Sequence, residues 1–127
     1  MRKSVIALAL LPLIAACNAE KVSYHVPAGE PSTMSFILYT DGCVSIGQYR
    51  SKVIAPPAHG TFDFRPATIV PDKPPCAGKS FVGSRATYTP AKGFKGTDHM
   101  VLQLGTPRDT SSQRYVYREY DVTFVVD

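Results

Sequence analysis

The stretch RYVYREYDVTFVV, residues 114–126, decides the fold class. Its side chains separate by parity. Tyr115, Tyr117, Glu119, Asp121, Thr123 and Val125 form one set, and Val116, Arg118, Tyr120, Val122, Phe124 and Val126 form the other. Successive residues of a β-strand point to opposite faces, so this period of two is that of a half-buried strand. The second set is the more apolar and is predicted to face the core. Nothing in the main body of the chain has the spacing of an amphipathic helix.

The same alternation recurs upstream. His99 to Leu104 places Met100, Leu102 and Leu104 together, and Thr61 to Arg65 does so with Phe62 and Phe64. Thr33 to Tyr39 aligns Met34, Phe36 and Leu38, and Lys21 to Val26 aligns Val22, Tyr24 and Val26. Cys43 to Ile46, Gln48 to Ile54 and Arg85 to Thr89 read as further strands, with Gly47 a bulge. Gly and Pro punctuate them, 9 and 11 in 127 residues. Residues 66–84 hold four prolines and two glycines and read as a long loop, with a short strand at Thr68 to Val70. Gly105 to Gln113 reads as a hairpin tip. About seven short strands in one domain predict an all-β, two-sheet antiparallel sandwich.

The N-terminal segment has a different character. Arg2 and Lys3 precede an apolar run from Val5 to Ala16, too short to span a bilayer. A charged start, a short apolar core and small residues at the exit describe a secretory signal. Ile14, Ala15, Ala16 and Cys17 resemble a bacterial lipobox. That resemblance implies cleavage before Cys17, a lipid on its thiol, and a place on the bacterial cell envelope, at the outer membrane by default. The alternative is an ordinary secretory signal cut elsewhere. The predicted organisation is a signal peptide over 1–16, a lipidated N-terminus and first strand over 17–26, and the sandwich over 27–127.

Export places Cys43 and Cys76 in an oxidising compartment, where pairing is the default and two buried thiols the alternative. The net charge of +4 includes Arg2 and Lys3, and the remaining charge is dispersed. A nucleic-acid footprint would need clustered Lys and Arg on one face, so nucleic acid is excluded as a partner.

A run of spaced residues suggests a family. Pro57-Ala58-His59-Gly60-Thr61-Phe62 is followed by Tyr88-Thr89-Pro90, then by Phe94-Lys95-Gly96-Thr97-Asp98. This resembles the bacterial Ig-like and cadherin-like modules, over about Pro57 to Leu104. The resemblance implies an Ig-like sandwich that binds other proteins. Its loop residues Tyr88, Pro90, Phe94, Gly96 and Asp98 have structural roles: Pro90 closes a strand, Phe94 plugs an end of the sandwich, and Asp98 accepts loop N–H groups. Met100 and Leu102 stand where the family has aromatics. The cysteine pair and residues 66–84 are additions to its pattern.

His25, His59 and His99 sit on separate predicted elements, and no serine lies in a nucleophile elbow, so no catalytic residue is assigned and the chain is read as non-enzymatic. Scattered aspartates argue against a calcium site, and neither a metal nor a cofactor is predicted. Arg114, Tyr115, Tyr117, Arg118 and Tyr120 form a ribbon of residue types enriched at protein interfaces. Lys73, Lys79 and Arg85 make the loop from Lys73 to Arg85 basic. These two stretches are the candidate binding surfaces. The expectation is a membrane-anchored module acting through protein contacts in the envelope. A small periplasmic inhibitor of a lysozyme-type enzyme and an accessory subunit of a secretion or surface assembly are the alternatives.

Overall fold

A computed structural model describes residues 19–110 and 114–127. The predicted signal peptide, Cys17 and the end of the predicted hairpin tip lie outside the described residues. The strands are β1 (Glu20–Val26), β2 (Ser32–Phe36), β3 (Leu38–Tyr39), β4 (Ser45–Gly47), β5 (Arg50–Ala55), β6 (Gly60–Ile69), β7 (Phe81–Pro90), β8 (Gly96–Pro107) and β9 (Tyr115–Val126). The larger sheet has the order β1-β9-β8-β5, the smaller one β2-β7-β6, and β3 and β4 form a separate short hairpin. The described residues are all-β, and their sheets enclose an apolar core in the manner of a sandwich.

Four expectations need correction. Nine strands, not about seven, occur among the described residues. The first strand breaks the antiparallel rule, since β1 runs parallel to β9, with Val22, Tyr24 and Val26 beside Val122, Phe124 and Val126. Because β8 already occupies the other side of β9, β1 takes the open edge. The register found there points its apolar residues into the core beside those of β9. The irregular stretch from 66 to 84 is shorter than predicted, because β6 continues to Ile69 and β7 begins at Phe81. Pro66 is tolerated inside β6 because β6 is an edge strand, where a missing N–H breaks no ladder. The hairpin tip also shrinks, as β8 runs on to Pro107 opposite Tyr115.

The inward set of the longest strand is only half buried. Val122, Phe124 and Val126 are in the core, while Val116 is 42% exposed and Arg118 faces solvent. The β8–β9 hairpin pairs out to Pro107 and Tyr115, so the Val116 end of the strand lies far from the buried Val122–Val126 end. The core gathers Val26, Tyr88, Met100, Leu102, Val122, Phe124 and Val126. Tyr88 of the smaller sheet lies flat on Phe124 of the larger one, with ring centroids 3.8 Å apart, and so joins the two layers.

Packing between the layers is incomplete. Tyr24, Met34, Phe36, Phe62 and Phe64 point inward yet stay half-buried. They border a hollow of about 170 Å³. Protein interiors are normally packed as closely as organic crystals.

Cys43 and Cys76 form a disulfide with Cα atoms 5.6 Å apart. It ties the turn between β3 and β4 to the connection between β6 and β7. Cys76 is 2% exposed and Cys43 adopts a positive φ of 61°. Around the bridge, Tyr39 stacks on Phe81 and the Lys79 ammonium donates to the Cys43 carbonyl.

Candidate functional site

Two places gather side chains by design of the fold. The first is one pole of the sandwich, centred on Asp98. This carboxylate is 1% exposed. It accepts the backbone N–H of Ala58 at 3.0 Å and of His59 at 3.1 Å, and its own neighbour His99 donates at 3.0 Å. The Tyr88 hydroxyl donates to it at 2.7 Å. The tyrosine pKa is raised, first by burial and then by this hydrogen bond. A buried carboxylate is tolerated when its lone pairs are filled in this way. Phe94 covers the pole by stacking on His59 at 4.3 Å, and Gly96, with φ of 132°, turns the chain from that ring into β8. Pro90 closes β7 opposite Gly60. At Gly60 a Cβ would sit 2.6 Å from the Thr89 carbonyl, so only glycine fits. All of these groups are occupied by one another, and the pole is a structural clasp.

The second place is the outer face of the larger sheet. Here Arg50 of β5, Gly105 of β8 and Tyr117 of β9 fall in one row, and Lys52, Gln103 and Glu119 in the next. The guanidinium of Arg50 lies 3.7 Å above the ring of Tyr115. Its pKa is raised, chiefly by a side-chain hydrogen bond with Tyr117. Tyr115 donates its hydroxyl to the Gln48 carbonyl at 3.2 Å. Tyr117 lies across Gly105 so closely that a Cβ there would meet the ring at 2.6 Å. A glycine inside a strand often marks such an approach. The result is a flat, exposed arrangement of two tyrosines and an arginine. A shallow depression beside them is bordered by Lys52 and Gln103.

The candidate residues are thus partly united and partly dispersed. Tyr115 and Tyr117 belong to this face. Arg118 points the other way and borders a separate depression with Val116 and Tyr120. The basic loop does not exist as a unit. Arg85 lies in the middle of β7, across from Arg65 and Ser35, and Lys79 is engaged at the disulfide. Lys73 remains exposed in the connection between β6 and β7. Arg50 carried no signal in the sequence, since only the pairing of β5 with β8 brings it to the tyrosines. Gly105 reads as the start of the hairpin tip, and only the continuation of β8 to Pro107 makes it a glycine within a strand.

Among the described residues no group of three His, Cys, Asp or Glu side chains is placed to hold a metal ion. The histidines are engaged separately: His99 with Thr123 at 3.1 Å, His25 with Asp127 at 3.9 Å, and His59 with Phe94.

No family model matches the chain, and no curated protein matches it. Among solved structures, the solution structure of Amebosin is similar with a TM-score of 0.42 and 12% sequence identity, over 86% of this chain and 98% of that one.

Proposed function

We propose that this chain is a lipid-anchored, Ig-like binding module of the bacterial envelope. It acts through protein–protein contacts and performs no catalysis. The observation that carries the reading is the Arg50, Tyr115 and Tyr117 arrangement on the outer face of the larger sheet. Arginine and tyrosine are enriched in interface hot spots, and tyrosine presents a large, rigid, amphipathic surface at small entropic cost. Holding the guanidinium against the rings in advance lowers that cost further. The strand order supports the Ig-like assignment. Taking β2, β6 and β7 as one layer and β5, β8 and β9 as the other reproduces the split of strands B, D, E from C, F, G in that fold. The separate engagement of the three histidines supports the non-enzymatic reading.

The test is crosslinking in intact envelopes through an affinity tag placed after Asp127. The native chain is expected to retain one stoichiometric envelope protein. The Arg50→Ala, Tyr117→Ala double variant is expected to lose at least about tenfold in that recovery, which corresponds to about 1.4 kcal/mol. Unchanged recovery by the double variant removes this face from the proposal, and recovery of nothing by the native chain removes the binding module itself. Mass spectrometry of the mature N-terminus checks the anchor, with a diacylglycerol on Cys17 as the expected result.

A further inference from the structure

We propose that the space between the two sheets is a binding slot for a long unbranched aliphatic chain, the acyl tail of a fatty acid or lipid. Beside the hollow of about 170 Å³ lies a second of about 240 Å³. Tyr24, Met34, Phe62, Ala86 and Phe124 border both. The two are therefore successive lengths of one passage. Its direction follows the strands. The first length reaches Tyr120 and Leu104, and the second reaches Val26 and Tyr88. In β1 it extends from Val22 to Val26, which is roughly 13 Å at about 3.3 Å per residue.

The sequence produces this passage at one position. Ala86 lies on the central strand of the smaller sheet, between Met34 and Phe64 in register. A methyl group there leaves unfilled the volume that a Leu or Phe would occupy. The walls are almost wholly apolar, and apolar cavities exclude water but admit apolar molecules. Such a molecule covers inward-facing apolar side chains that the sheets leave half-buried. A passage elongated along the strands suits a linear chain better than a compact ring. Met34 and Met100, with flexible and polarisable side chains, adapt to small differences in the occupant. Entry is provided by the edges. β1 and β2 are both edge strands and both border both lengths of the slot, where Tyr24 and Met34 stay half-buried. Ser32 stands at that flank, on the inward parity of β2, and offers a hydroxyl to a head group. This site lies inside the sandwich and is independent of the tyrosine and arginine face.

The experiment is a titration of the full chain, stripped of bound lipid, with a fluorescent long-chain fatty acid, followed by displacement. Saturable one-to-one binding, displaced by palmitate, is the expected result. Displacement by palmitate but not by dihexanoyl phosphatidylcholine assigns the slot to free fatty acids, and displacement by both assigns it to lipid tails generally. Ala86→Phe and Met34→Trp each fill the passage and are expected to weaken the probe at least tenfold while the β-sheet circular dichroism is kept. Absence of saturable binding by the native chain, together with a higher melting temperature for Ala86→Phe, shows a plain packing void and overturns the proposal. Binding that survives both filling variants overturns the placement. Indole binding as tightly as palmitate overturns the preference for a linear chain.

Discussion

Asp98 and Tyr88 show how much one pair of residues can hold. Four donors converge on the carboxylate, and the tyrosine that supplies one of them also stacks across to the opposite layer. Replacing Asp98 by Ala leaves buried donors unsatisfied, at about 1 to 3 kcal/mol each. The expected loss on urea unfolding is roughly 3 kcal/mol or more, with strand content retained at low denaturant. The raised pKa of Tyr88 has a directional consequence. Burial and the Asp98 bond hold the proton on in the folded state, so this contribution to stability is complete below the ordinary value of 10.0 and is lost as pH rises beyond it. Thermal melts above pH 10 are expected to fall less steeply for Tyr88→Phe than for the native chain. The role of Asp98 as an acceptor for loop N–H groups was legible in Phe94-Lys95-Gly96-Thr97-Asp98. Its bond to Tyr88 was not, because ten residues of turn and strand separate them and only the fold closes that gap.

Among the elements, the connection between β6 and β7 and the edge strand β5 carry the sharpest consequences. The disulfide closes 33 residues of separation, and chain-entropy arithmetic assigns such a loop roughly 3 to 4 kcal/mol. Cys76→Ser is expected to lower the urea midpoint accordingly and to speed amide exchange in residues 70–80 while the core strands stay protected. Every residue of β5 is exposed, including Val53 and Ile54, and its outer edge pairs with no strand among the described residues. Lysine on such an edge opposes pairing between molecules. Lys52→Val is therefore expected to cause self-association, visible by sedimentation at concentrations where the native chain stays monodisperse. The pairing of Cys43 with Cys76 is expected from the cysteine count and the predicted export. The true lengths of β6 and β7 are not, because Pro66 reads as a strand breaker until β6 is known to be an edge.

At the scale of the whole molecule, two layers meet firmly at one pole and loosely between. The clasp at Asp98 and the Tyr88–Phe124 stack secure one end, while the Ala86 row leaves the interior open. Alternating side chains dictated strands, turn residues dictated their number within two, and the cysteines dictated a staple, because each of these is a local or pairwise property of the chain. The parallel seat of β1 beside β9, the gathering of Arg50 with Tyr115 and Tyr117, and the hollow behind Ala86 were settled only on folding. Each depends on which strands become neighbours, and a strand's periodicity states which face is buried without naming what it will lie against.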